Sequence, residues 1–168
     1  MMPIGIAIRT RKLRSLFVRR RVYSAIEEAE MLIRQNQGTE ERFDACLDLI
    51  VRSILSNVAL MVGDNEKCFN TSRHIISKLD ADPRYKACFS EDDTKYIQYL
   101  HKRFISETSD LVDSDAWELA RSIKVDGSSF DRRKVSGFLK YLFPCDSKYI
   151  EQFDEFFNKN LMHWKGLV

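Results

Sequence analysis

The residues best suited to metal binding or acid–base chemistry are the three histidines, His74, His101 and His163, each within a segment of helical periodicity. None has a second histidine four residues away, and the chain contains no His-Glu-x-x-His motif. That spacing is what places two imidazoles on one helix face around zinc. The histidines therefore predict neither a metal site nor a catalytic residue.

Nucleophile and nucleotide motifs are also missing from the sequence. There is no Gly-x-Ser-x-Gly turn to expose a serine nucleophile and no glycine-rich phosphate-binding loop. Glu107 and Glu118 lack the histidine three residues further on that helical metal carboxylate sites use. We accordingly predict a protein that is not an enzyme and that uses no cofactor and no small-molecule substrate.

The four cysteines, Cys46, Cys68, Cys88 and Cys145, are separated by 22, 20 and 57 residues. Structural zinc ligands come as closely spaced pairs, so this spacing predicts no zinc site. We expect free thiols and an intracellular protein in a reducing compartment. An arginine-rich N-terminus without acidic residues is also typical of a mitochondrial presequence, which makes the mitochondrion the alternative location.

Charge is distributed unevenly along the chain. Within residues 1–22 every charged residue is a cation: Arg9, Arg11, Lys12, Arg14, Arg19, Arg20 and Arg21. These seven cations leave residues 23–168 with −5, because the whole chain carries +2. The pattern predicts a basic N-terminal arm, residues 1–22, followed by a mildly acidic helical domain, residues 23–168. Arginine suits forked contacts to phosphate or carboxylate groups.

A second group of cations, Arg132, Arg133 and Lys134, follows a loop of small polar residues, 126–129. We predict a helix over residues 131–143, which would place these cations at its first turn, where positive charge is least favoured. An anionic partner would relieve that conflict. The three residues are therefore added to the predicted anion-binding set.

The longest apolar pattern lies between residues 39 and 62, where apolar residues recur at steps of three and four: Phe43, Cys46, Leu47, Ile50, Ile54, Val58 and Met61. A helix that is apolar around most of its circumference is a buried helix. Thr39 is the predicted N-cap, and Gly63 is the predicted end. Together with the other helical segments, this pattern predicts an all-α, single-domain bundle of six or seven helices around a central apolar helix.

Residues 10–36 contain neither glycine nor proline and are also predicted to be helical. Val18, Val22, Ile26, Ala29 and Ile33 share one face, which should pack on the core. Leu13, Leu16 and Phe17 lie on roughly the opposite side. Either the helix breaks near residues 19–21, or its first turns, with these three residues, contact another protein.

The last predicted helix contains more aromatic residues than one packed face needs. Phe153 and Phe157 share a stripe with Ile150, whereas Phe156 lies at its edge, and Trp164 closes the segment. Phe156 and Trp164 are therefore further candidates for protein contact.

The functional prediction is a non-enzymatic interaction or assembly subunit. Its basic arm would engage an acidic partner, with nucleic acid within a larger complex as the preferred one. The alternative is a protein-binding adaptor or inhibitor, of viral or bacterial type, that uses the aromatic C-terminal face. We predict no membrane span, since the apolar run at 39–62 is too interrupted by polar residues.

Overall fold

The computed structural model describes residues 4–38, 43–112, 115–144 and 147–164. In those ranges the fold is all-α, as predicted, with ten α-helices, one short 3₁₀ turn and no strand. The α-helices are α1 (Ile4–Arg9), α2 (Arg11–Val18), α3 (Val22–Asn36), α4 (Ala45–Met61), α5 (Asn65–Ala81), α6 (Pro83–Lys86), α7 (Glu91–Val112), α8 (Asp115–Ser122), α9 (Gly137–Leu142) and α10 (Ser147–Trp164). More helices are present than predicted because α1 precedes the segment predicted to be helical, that segment is broken into α2 and α3, and α6 forms separately. No helix among the described residues combines the length and apolar character that crossing a bilayer requires.

Helix α4 packs against α3, α5, α6 and α7, while α5 and α7 also pack against each other. Leu47, Ile50 and Ile54 are fully buried, as the apolar pattern predicted. The helix begins later than predicted, because the Asp44 carboxylate accepts hydrogen bonds from the backbone N–H groups of residues 46 and 47. The predicted cap Thr39 lies outside the described residues.

Cys46 and Cys88 form a disulfide that joins the first turn of α4 to the segment after α6, with 5.3 Å between their Cα atoms. The prediction of free thiols is therefore wrong for these two residues. Their separation of 42 residues in the sequence did not indicate the pairing, because the pairing depends on how α6 folds back on α4. Cys68 is a free, buried thiol, whose pKa is raised to about 12 by burial. Cys145 lies outside the described residues. The reducing compartment remains a prediction, and the disulfide removes part of the argument for it.

The N-terminal segment breaks at residues 19–21, which is one of the two outcomes that the sequence left open. Because the chain turns there, α2 folds back against α3. Leu13 and Phe17 are buried and Leu16 is partly buried against the core, so the expectation that these residues face away from the body is wrong. Val18, predicted to face the core, is 48% exposed. The prediction assumed one continuous helix. Once the chain changes direction at residues 19–21, the residues before the turn present a different face to the core.

The helix predicted over residues 131–143 is also corrected. Residues 132–134 form a 3₁₀ turn, Val135 is extended, and α9 begins only at Gly137. The Asp131 carboxylate caps the turn by accepting from the backbone N–H of Arg133, and its Oδ1 lies 3.3 Å from the Arg133 Nε. The cations are thus not at the start of an α-helix, and a carboxylate already accompanies one of them.

Helix α10 docks on α7 through aromatic side chains. Phe153 meets Tyr99 edge-on, with 5.4 Å between ring centroids, and the Nζ of Lys102 lies 4.4 Å above the Phe157 ring. Gly127 allows the loop before the 3₁₀ turn to approach α10 closely, since a Cβ there would lie 2.0 Å from Ile150. Its backbone N–H donates to the Asp154 carboxylate over 3.0 Å.

Candidate nucleic-acid interface

Most of the N-terminal cations stand in solvent. Arg9, Arg11, Arg19, Arg20 and Arg21 are exposed, as is Lys12, whose Nζ lies 3.5 Å from the Glu28 carboxylate. Among the described residues, no ion pair joins any of these five arginines to a carboxylate. Their charge is therefore available to an anionic partner.

Arg14 is half-buried and fixed in position by its own segment. Its Nη2 donates to the Ala7 carbonyl over 2.8 Å, and its Nε donates to the Thr10 hydroxyl over 3.2 Å. Thr10 is buried and donates in turn to the Ile6 carbonyl over 2.7 Å. These bonds join α1 to α2. They also hold the guanidinium in place. An anion that binds there would therefore cause a smaller loss of side-chain conformational entropy.

Arg20 ends α2 in the left-handed backbone region, with φ 59°. The Arg21 N–H donates to the Leu16 carbonyl and the Arg20 N–H to the Phe17 carbonyl, the paired bonds of a Schellman cap. The left-handed position of this cap is one that glycine usually occupies. The Arg20 guanidinium lies over the Phe17 ring, 5.8 Å from its centroid.

Two side chains of α7 hold the short helix α9 at both ends. Asp93, which is buried, accepts from the Ser136 N–H over 2.7 Å and from its hydroxyl. At the other end the Tyr96 hydroxyl donates to the Phe143 carbonyl. Leu139 and Leu142 pack inward, and Tyr141 on the opposite side is left 66% exposed. Tyr141 is thus an exposed ring on a firmly held helix.

Tyr141 lies where two neighbouring depressions meet. The larger, here called the α9 cleft, has a volume of about 490 Å³ and is lined by Phe17, Val18, Arg20, Asn57, Met61, Arg103, Tyr141, Leu142, Phe143 and Pro144. The smaller, here called the arginine depression, has a volume of about 290 Å³ and is lined by Arg11, Arg14, Ser15, Val18, Arg19 and Tyr141. Val18 and Tyr141 belong to both. Every charged residue in these two linings is an arginine.

The structure therefore brings together Arg11, Arg14, Arg19 and Arg20 of the predicted anion-binding residues. Arg9, Lys12 and Arg21 are exposed but line neither depression. Sequence reasoning missed Tyr141, which it treated as part of a longer core-facing helix. No local signal identified it, because its exposure follows from where α7 holds α9.

The other predicted cations, Arg132, Arg133 and Lys134, line neither depression in the described part of the chain. The ion pair with Asp131 raises the pKa of Arg133 and lowers the pKa of the Asp131 carboxyl. From the sequence, we expected an anionic partner to compensate these cations. For Arg133, the Asp131 carboxylate of the same chain supplies the negative charge.

The aromatic C-terminal face is only partly exposed. Phe153 and Phe157 are buried against α7 and α8, whereas Phe156 is 50% exposed. The side chain of Trp164 lies outside those that the structure describes. Of the apolar residues predicted for protein contact, Leu13 and Phe17 are buried, so Phe156 alone presents a large apolar surface among those described.

Two buried polar clusters link the core helices. His101 lies between the Ser53 and Ser72 hydroxyls, 3.0 Å from each, and burial lowers its pKa to about 3. The buried Asp48 carboxylate accepts from the Tyr85 hydroxyl over 2.5 Å and from the Arg52 Nε over 3.0 Å. Burial, and then the bond to Asp48, raise the pKa of Tyr85. In both clusters the buried polar groups are matched within the core.

The described residues contain no group of three His, Cys, Asp or Glu side chains that could hold a metal ion. No family model matches the chain, and neither a curated protein nor a solved structure is significantly similar to it.

Proposed function

We propose that this protein is a non-enzymatic binding subunit that engages nucleic acid through its basic N-terminal segment. The observation that carries the proposal is the paired depression between α2 and α9, whose charged lining residues are all arginines. A surface of this kind attracts the phosphate backbone and repels basic partners. Because arginine presents several N–H donors in a fixed plane, it can bind two phosphate oxygens at once.

Electrostatic arguments favour phosphate over an isolated carboxylate at this surface. Arg11, Arg14 and Arg19 line one depression, and Arg20 lines its neighbour, so the charge extends from one depression to the other. Arg103 also lines the α9 cleft, but it is buried and its Nε lies 3.8 Å from the Glu107 carboxylate, so it adds little to the exposed charge. A polyanion that follows this surface would release condensed counterions at each phosphate that it brings to an arginine. The body of the protein, with its net charge of −5, would not compete for the same partner.

Salt dependence tests the proposal. Binding of a labelled oligonucleotide should weaken linearly in log–log form as salt rises, with a slope of about −0.9 for each phosphate neutralised. Replacing Arg19, Arg20 and Arg21 together by alanine should flatten that slope by about 2–3. The fold should persist, because all three side chains are exposed.

The matched control removes three exposed arginines elsewhere, with Arg34, Arg73 and Arg121 replaced by alanine. Its net charge equals that of the first variant, and the main difference is the location of the lost charge. Arg121 also loses an exposed ion pair with Glu118, in which Nη2 and Oε2 are 3.0 Å apart, and exposed pairs contribute little to stability. An equal loss of slope in both variants would mean that overall charge, and no particular surface, attracts the nucleic acid. Absence of binding at low salt would reject the proposal and leave the adaptor interpretation, with Phe156 as its exposed aromatic residue.

A further inference from the structure

Tyr141 is the feature that phosphate binding alone does not use. It is 66% exposed on a helix whose two ends are fixed by α7, and arginines line both of the depressions that it borders. Exposed tyrosines are ordinary on protein surfaces, but this one stands at the junction of two arginine-lined depressions. Its surroundings therefore suggest a specific role.

We propose that the α9 cleft and the arginine depression together bind single-stranded nucleic acid, with one base stacked on Tyr141. This inference rests on the proposed function and narrows it to one form of the ligand. Sequence-independent single-strand sites combine a cationic groove for the backbone with an aromatic ring on which a base stacks. Both components are present here within one continuous surface.

The arginines would hold the backbone on either side of the stacked base. Arg14 is preorganised by its bonds to Ala7 and Thr10, and Arg11 and Arg19 line the same depression. Arg20 lines the α9 cleft, the other depression that Tyr141 borders. A strand that crosses the Val18–Tyr141 junction would thus meet guanidinium groups before and after the stacked base.

The non-polar part of the lining suits a base better than it suits a second phosphate. Val18 is 48% and Met61 43% exposed, and both line the α9 cleft beside Tyr141. The Asn57 side chain in the same cleft offers an amide donor and acceptor to a base edge. In a duplex the bases are stacked within the helix, and their faces are not available to an aromatic side chain.

The test measures the binding of a labelled oligothymidylate of about ten nucleotides, and of the matching duplex, by fluorescence anisotropy at fixed low salt. Tyr141→Ala should weaken single-strand binding by about 5- to 150-fold, the range that the loss of one stacked base implies. Duplex binding should change little, because the arginines remain. Tyr141→Phe keeps the ring and should stay within about twofold of the unchanged protein.

Tyr23→Ala is the matched control, since Tyr23 is 71% exposed on α3 and lines neither depression. It should leave both affinities unchanged. Thermal melting of each variant checks the fold, and the exposure of both tyrosines predicts small shifts.

Three results would overturn the inference, and they are distinguishable from one another. If Tyr141→Ala binds the single strand normally while the arginine variant is weakened, charge alone binds nucleic acid, and the proposed function stands without stacking. If polyglutamate binds as well as the oligonucleotide and Tyr141→Ala weakens both equally, the surface is a site for an acidic protein. If neither nucleic acid binds the unchanged protein, the inference and the proposed function fail together.

Discussion

Arg20 and Gly63 occupy the same backbone position in two equivalent helix ends. Both lie in the left-handed region, with φ 59° at Arg20 after α2 and φ 80° at Gly63 after α4. In each case the next residue donates its N–H five residues back, Arg21 to Leu16 and Asp64 to Ala59. Glycine adopts this conformation without steric cost, whereas an L-residue is disfavoured by roughly 1–2 kcal/mol. The chain thus accepts strain at the end of α2 that it avoids at the end of α4.

This relationship gives a stability prediction that separates backbone strain from charge. Arg20→Gly should be more stable than Arg20→Ala by about 1 kcal/mol, since both lack the guanidinium and only glycine relieves the strained φ. By the same reasoning, Gly63→Ala should lower the free energy of unfolding by about 1 kcal/mol. No atom lies within 4 Å of an added Cβ at Gly63, so the cost there comes from the backbone. Urea denaturation measures all three variants.

The two Arg20 variants should also bind nucleic acid equally weakly despite their different stabilities. A difference in affinity that followed stability would indicate that the end of α2 acts through the fold and not through its charge. Equal stability of the glycine and alanine variants would contradict the left-handed conformation of Arg20.

His101 predicts how stability depends on pH. Burial, with a smaller contribution from the Arg103 charge, lowers its pKa from 6.5 to about 3 in the folded chain. Between these values the unfolded chain binds a proton that the folded chain does not. The contribution of this pKa difference to the free energy of unfolding is therefore complete above pH 6.5. It declines as the pH falls toward about 3, by roughly 1.4 kcal/mol per pH unit.

The measurement compares urea denaturation of the unchanged protein and His101→Asn at several pH values within that window. The variant should be less stable at neutral pH, because Ser53 and Ser72 each lose their bond to the imidazole. The difference in unfolding free energy between the two proteins should shrink as the pH is lowered. A difference that stays constant would show that His101 does not titrate on unfolding.

The Cys46–Cys88 disulfide predicts sensitivity to reductant. Closing a loop across 42 residues restricts the unfolded chain, so reduction should lower the free energy of unfolding by about 2–4 kcal/mol. Denaturation with and without reductant measures this effect. The double variant Cys46→Ser/Cys88→Ser is the control, and its stability should not respond to reductant. Peptide mapping of the native protein that found both thiols alkylated would contradict the pairing.

The sequence by itself determined the helical class, most of the helix positions and the burial of α4, because these follow from local periodicity. Leu47, Ile50 and Ile54 recur at helical spacing, and any helix with that pattern must hide the same face from water. The concentration of cations in residues 1–22 is likewise a property of the sequence. Residues 10–36 carry apolar side chains on two opposite helix faces, and one straight helix cannot bury both against one body. The sequence therefore indicated a break in this helix as one of two possibilities.

Only the tertiary structure decided what those elements place together. Cys46 and Cys88 are 42 residues apart and Ser53 and His101 are 48 apart, and Val18 and Tyr141 line the same cleft although most of the chain separates them. Such pairs depend on the angles at which helices cross and on where the chain reverses, which local patterns do not encode. Leu13 shows the consequence: the same apolar strip that predicted an exposed contact surface becomes buried once residues 19–21 turn α2 onto α3.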